Sequence, residues 1–131
     1  MYIRDLSIGD WVCYTGKCID GIGPNRKITY IERDTCGFLI GLDYGAFHYS
    51  SAKIEDIAPI PITPEILEKN GISKTYESDE YAVYKGEGFN LTEYYTELWE
   101  FERGRNRLMI RNVHQLQHAL RLLGISKEIE I

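Results

Sequence analysis

Two histidines, three cysteines and a run of arginines are the side chains of this chain with the most chemistry to offer. His114 and His118 stand four residues apart in a segment of helical periodicity, so both imidazoles can point the same way, as in a two-histidine metal platform. Such a site needs a third ligand, and His48 and Cys36 belong to distant strands. Gln115 also stands where a zinc hydrolase carries its glutamate. Two histidines decorating a solvated or interface face explain the pair more simply, and no metal is expected. Cys13 and Cys18 flank a Gly16 turn, but a zinc ribbon requires a second pair and only Cys36 remains. Buried or idle thiols explain them better. Gly21-Ile22-Gly23 and Gly86-Glu87-Gly88 complete no phosphate loop, and no serine sits in a Gly-x-Ser-x-Gly elbow. No nucleophile, base and orienting group can be named together, so an enzyme is the least favoured class and no cofactor is expected.

The arginines carry more weight. Arg103-Gly104-Arg105-Asn106-Arg107, with Arg111 nearby, reads as a β-hairpin with a basic tip, and His114, His118 and Arg121 extend the same basic character into the segment that follows. A hairpin of this kind can enter a nucleic-acid groove or grip phosphates through bidentate hydrogen bonds. Arginine, planar and forked, suits shaped recognition better than lysine. The competing account is structural, because Glu97, Glu100 and Glu102 lie on the partner strand and can pair across with those arginines. The many carboxylates between 77 and 102 read as a solvated face rather than as an acid–base pair.

The elements that would position these residues follow from turn chemistry and alternation. Gly9-Asp10 turns the chain into a strand at Trp11–Tyr14, and Lys27–Arg33 and Cys36–Leu42 form a hairpin about Asp34-Thr35. Short strands at Phe47-His48-Tyr49 and Ile54–Ile60 complete a set that suggests a small barrel. Thr63-Pro64-Glu65 starts a helix that Asn70-Gly71 stops. Strands return at Tyr81–Lys85, Tyr94–Glu102 and Arg107–Arg111, with Trp99 and Phe101 facing inward. A last helix runs from about Val113 to Leu123. Its core stripe is Val113, Leu116, Leu120 and Leu123, with His114, Gln117, His118 and Arg121 opposite. The alternating tail Glu128–Ile131 suits an edge strand.

With 131 residues there is room for one domain or two very small ones. Net charge is −5, which disfavours general nucleic-acid binding by the whole surface. The charge is uneven: six basic and eight acidic side chains in 1–62, three and ten in 63–102, six and two in 103–131. No apolar run approaches the roughly 18 residues that span a bilayer, and the first residues carry no apolar leader. An odd cysteine count then points to reduced thiols in the cytoplasm. Ten tyrosines is a large number for this length and supports β structure first, recognition second.

The layout of Ile8-Gly9-Asp10-Trp11-Val12, Pro59-Ile60-Pro61-Ile62-Thr63-Pro64-Glu65-Ile66-Leu67 with Asn70-Gly71, and Val113-His114-Gln115-Leu116-Gln117 resembles a family of small uncharacterised proteins of Bacteroides-type bacteria and their phages. The entry strand alone is similar to that of SH3-like barrels. The family has no assigned activity, so the resemblance implies a bacterial cytoplasm and a mobile-element setting and carries over no catalytic residue. Arg121-Leu122-Leu123 departs from the family's more aromatic stretch.

The expected architecture is α+β: an SH3-like small β-barrel over 1–62, followed over 63–131 by a short helix and a β-hairpin-plus-helix half, as two domains or one compact unit. The expected function is a non-enzymatic protein-binding or adaptor module with a protein partner and no membrane. The alternative is nucleic-acid binding through the Arg-rich 103–111 hairpin.

Overall fold

Gly9, at a φ of 91°, turns the chain out of Ser7 and into the first strand, β1 (Trp11–Tyr14). The buried Asp10 holds that turn, its Oδ2 accepting the Ser7 N–H at 2.7 Å. In this computed structural model, which describes residues 3–16, 23–35, 37–43 and 49–131, four further strands follow in the first part of the chain. They are β2 (Asn25–Asp34), β3 (Gly37–Asp43), β4 (Tyr49–Lys53) and β5 (Ile57–Ala58). The sheet is antiparallel, in the order β4-β3-β2-β1-β5. Strand β2 serves two partners: Asn25 to Lys27 pair with β1 and Ile28 to Asp34 pair with β3, with a register shift between Ile28 and Tyr30. Leu6, Val12, Ile28, Ile40, Leu42, Ala52 and Ile57 form its core.

Two sequence expectations change here. The strand expected over Ile54–Ile60 is a single 3-10 turn, Ile54–Asp56, followed by the two residues of β5. Asp56 is the reason: its Oδ2 accepts the Lys53 N–H at 3.3 Å, a local side-chain bond that competes with the ladder. The expected strand at Phe47-His48-Tyr49 falls mostly outside the described residues, and β4 starts at Tyr49.

The chain divides into two compact units, Met1–Ile60 and Pro61–Ile131. In the second, Thr63 caps α1 (Pro64–Lys69) by accepting the Ile66 N–H at 3.3 Å. Gly71, at a φ of 74°, ends the helix in a Schellman turn in which Ile72 N–H reaches Leu67 O at 2.9 Å. Five antiparallel strands then run as a meander: β6 (Ser73–Glu77), β7 (Ala82–Gly86), β8 (Phe89–Glu93), β9 (Trp99–Arg103) and β10 (Asn106–Ile110). Helix α2 (Val113–Leu122) follows, and Gly124 at a φ of 69° repeats the Schellman ending. The expected hairpin-plus-helix half is therefore a full sheet with two helices.

Alternation assigns the faces of that sheet. Ala82, Tyr84, Phe89, Leu91, Trp99, Phe101 and Ile110 are buried, and the cross-strand register puts them on one side. Val83, Lys85, Asn90, Thr92, Glu100, Glu102, Arg107 and Met109 take the other side, and none of them is buried. Both helices belong to the inner side. Glu65 and Glu68 of α1 act electrostatically on inner-face Glu93 and Tyr84, and Arg103, inward from β9, donates to Leu123 O at the end of α2. The buried face of α2 is wider than its leucine stripe. It takes in His114 and Gln117, while Leu122 is exposed.

The chain's end is held by a side chain. Asn70, buried at the end of α1, donates from Nδ2 to Ile66 O and to Glu130 O, and accepts the Glu130 N–H at Oδ1, each at 2.7 Å. The Glu128–Ile131 tail forms no strand, because this amide supplies the pairing a neighbouring strand would have supplied. Ile129 is buried beside it in sequence. Replacing Asn70 with Ala is expected to lower stability by about 1–2 kcal/mol in urea unfolding and to speed hydrogen exchange at the Glu130 amide.

Glu93 is the one inner-face carboxylate of β8. Burial raises its pKa above the ordinary 4.5; Lys74 opposes that, and Glu77 and Glu65 add to it. A raised carboxylate pKa means that ionisation weakens the fold, a penalty fully present above the folded pKa and absent below 4.5. Glu93→Gln is therefore expected to raise the urea midpoint at neutral pH. The advantage should shrink as pH falls through the folded pKa.

Candidate functional site

The basic residues singled out by sequence separate into distinct structural roles. Gly104, with a φ of 59°, is the first central residue of the two-residue turn joining β9 to β10, the position at which a II′-type loop requires glycine. Arg105 follows it, exposed at the tip. Arg103 points inward to Leu123 O, where a cation also complements the negative end of the α2 dipole. Arg107 lies on the outer face, directly across from Glu102, 3.8 Å from Glu100 Oε1 and 3.7 Å from Glu102 Oε1. Arg111 and Arg121 are exposed, and the Arg111 N–H donates to Gln115 Oε1 at 2.7 Å. The hairpin thus brings Arg105 and Arg107 to one end of the sheet, but it sends Arg103 to the opposite face.

His114 is buried and His118 half-buried on α2, with ring centroids 5.8 Å apart and planes at 77°. An edge-on pair of this kind is packing geometry rather than two nitrogens converging on one point. Of the expected solvated or interface face, the solvated reading is corrected for His114, which is buried on α2. Among the described residues no group of three or more His, Cys, Asp or Glu could hold a metal ion. Cys18, Cys36 and His48 lie outside the described residues. A cleft of about 460 Å³ beside Arg103 is lined by Glu87, Gly124, Ile125, Ser126 and Lys127. Its walls offer the charges of Glu87, Arg103 and Lys127 and the Ser126 hydroxyl.

The aromatics of the first sheet, Trp11, Tyr14 and Tyr30, are half-buried. Lys27 Nζ lies 5.2 Å from the Trp11 ring centroid, and the Arg26 guanidinium lies 5.1 Å from that of Tyr14. Tyr30 lies across Gly41, where any Cβ would collide with its ring.

The open aromatic surface is on the second sheet. Tyr76 of β6, opposite Val83, faces outward and lies 5.3 Å from the Tyr81 ring; Tyr81 lies 6.3 Å from Tyr94. Tyr76, Tyr94 and Tyr95 are 50%, 40% and 47% exposed, far more than a tyrosine needed by the core. Ser78 positions the cluster. Its Oγ accepts the N–H groups of Glu80 at 3.3 Å and Tyr81 at 3.2 Å, and its carbonyl accepts the Tyr95 hydroxyl at 3.2 Å. The Tyr94 hydroxyl donates to Glu100 Oε2 at 3.3 Å, linking the tyrosines to Arg107. The β8–β9 connection bends sharply, with Tyr95 and Glu97 at φ values of 57° and 67°. This bend is why the single strand expected over Tyr94–Glu102 starts only at Trp99.

The tyrosine hydroxyls feel the carboxylates around them. Burial, then Glu100, raises the Tyr94 pKa; burial, then Glu77 and Glu93, raises that of Tyr95; and Tyr76, then burial, raises that of Tyr81, with a contribution from Glu80. Sequence reading missed this cluster because its members come from one strand and two separate connections. The surplus of tyrosines was its only signal.

Among the described residues no helix is long and apolar enough to cross a membrane. Compared with known proteins, the chain matches no family model, no curated protein and no solved structure.

Arg103→Ala is expected to cost about 1–2 kcal/mol of stability, as a half-buried charged donor to a helix end. Arg107→Ala, which removes exposed ion pairs, should cost less than about 1 kcal/mol. Equal effects in urea unfolding would refute this division of roles.

Proposed function

We propose that the chain is a non-enzymatic protein-binding module of the adaptor kind, and that its partners dock on the outer face of the second sheet. The observation that carries this reading is the contiguous Tyr76-Tyr81-Tyr94 cluster on a sheet face that neither helix covers, with exposed Tyr95 in the adjoining β8–β9 connection. Tyrosine combines a large rigid contact area with a polar tip, which suits it to protein interfaces. The same face presents Met109 on β10, also 50% exposed.

The first unit reads as an SH3-like barrel. Its strand order, the two-partner β2 and the 3-10 turn between β4 and β5 support that reading. A cytoplasmic setting is supported by the odd cysteine count. The second reading is nucleic-acid binding through residues 103–111. Exposed Arg105 and Arg111 favour it, and the internal engagements of Arg103 and Arg107 count against it.

A photo-crosslinking residue at Thr92, central on the outer face, is expected to yield protein adducts in the cells that make this chain. The same residue at exposed Leu122 on α2 should yield none. Adducts from Leu122 alone, or none from either position, would overturn the proposal. Salt-sensitive binding of labelled DNA or RNA that is lost on changing Arg105 and Arg111 to Ala would establish the second reading instead.

A further inference from the structure

We infer that the outer tyrosine face takes an arginine-bearing, extended basic segment of a partner protein. This rests on the protein-binding reading and names the chemistry of the partner. Three observations support it. First, rings tilted at 31° and 45° to their neighbours expose several π faces within one short span. Such faces attract cations, and the planar guanidinium can also stack on them.

Second, the charge around the rings is mostly negative. Asp79, Glu80 and Glu97 lie in the two connections that carry Tyr81 and Tyr95, and Glu100 and Glu102 stand on the outer face of β9, against the outer-face cations Lys85 and Arg107. Asp79 and Glu80 immediately precede Tyr81 and are exposed, and Glu77, its side chain 59% exposed, follows Tyr76. Lys74 is paired with Glu77 at 3.4 Å, and outer-face Arg107 is held between Glu100 and Glu102. Arg107 is therefore already matched, and the exposed carboxylates of Asp79, Glu80 and Glu97 outnumber Lys85, the other outer-face cation, and remain to meet an incoming one.

Third, the same surplus decides against the other ligand that stacks on aromatic sheets. Single-stranded nucleic acid requires a cationic groove along its backbone as well as rings for its bases. A phosphodiester laid across this face would meet Asp79, Glu80 and Glu100, so the sign of the field selects a basic protein segment.

The test uses the full-length chain and four labelled twelve-residue peptides of Gly and Ser. One carries four arginines, one four lysines, one four citrullines and one four glutamates; a uridine oligonucleotide is the fifth probe. Binding is followed by fluorescence anisotropy, and its position by NMR shifts of the tyrosine rings. The arginine peptide is expected to bind and to shift Tyr76, Tyr81 and Tyr94. Citrulline, which keeps the shape and loses the charge, should bind at least about tenfold more weakly, and glutamate should not bind. Tyr76→Ser with Tyr94→Ser, both at exposed positions, should weaken the arginine peptide about tenfold, as should Asp79→Asn with Glu80→Gln.

Equal binding of the citrulline and arginine peptides at the tyrosines would overturn the basic partner and leave the protein-binding reading standing. Arginine-peptide binding that leaves the tyrosine rings unshifted, or no peptide binding at all, would also overturn it, while the Thr92 crosslink judges the broader reading separately. Uridine binding at the same tyrosines would overturn both.

Discussion

The second unit depends on a single constraint: two short helices can cover only one face of a five-stranded sheet. Strand side chains alternate, so parity decides which residues lie beneath the helices. Trp99, Phe101, Tyr84 and Leu91 occupy the covered parity, and each contributes roughly 1.5–3 kcal/mol by leaving water. A slip of one residue would turn Trp99 and Phe101 out and bring Glu100 and Glu102 in, so the register is strongly specified. The opposite parity is fixed by the same choice. Tyr76, Thr92, Glu100 and Arg107 face outward because their neighbours are needed inside.

Within that frame, polar side chains satisfy backbone groups at the places where elements end. Asn70 pairs with Glu130, Arg103 with the end of α2, Gln115 with the N–H groups of Arg111 and Asn112, and Ser78 with the turn before Tyr81. Backbone left unpaired at such ends would be costly wherever it is buried. These residues look chemically active in sequence, being amides, hydroxyls and a guanidinium, and their work is structural. Arg103 shows the difference most clearly. It sits in the most basic stretch of the chain and spends its charge on a helix carbonyl.

Legibility in sequence followed the range of the signals. Local ones were readable: the Gly9-Asp10 turn, the Thr63-Pro64 start and Gly71 stop of α1, the inward Trp99 and Phe101, and the Gly104 turn. Strand β6 was not, because Ser73–Glu77 is exposed throughout and carries no apolar alternation. Strand β8 did alternate, with Phe89 and Leu91 buried between polar residues, and was legible in principle. The burial of His114 needed knowledge of the sheet beneath α2. The tyrosine cluster needed the cross-strand register, since Tyr76 and Tyr94 are distant in sequence and become near neighbours only through β7 and β8. The cross-strand pairing of Arg107 with Glu100 and Glu102, one of two accounts open in the sequence, is what the register produces.

The same long-range register gives the tyrosine face its main physical advantage, which is order before binding. Association loses affinity to every side chain or loop that must be immobilised. Here Tyr81 and Tyr95 are tied to Ser78, Tyr94 is tied to Glu100, and the Tyr81 ring rests against those of Tyr76 and Tyr94. Glu100 stands on β9 between Trp99 and Phe101, which the core holds rigidly. The path from buried tryptophan to exposed tyrosine is therefore short and made of stiff parts. A flexible segment meeting this surface bears most of the ordering itself, and the module contributes a platform already set by its core.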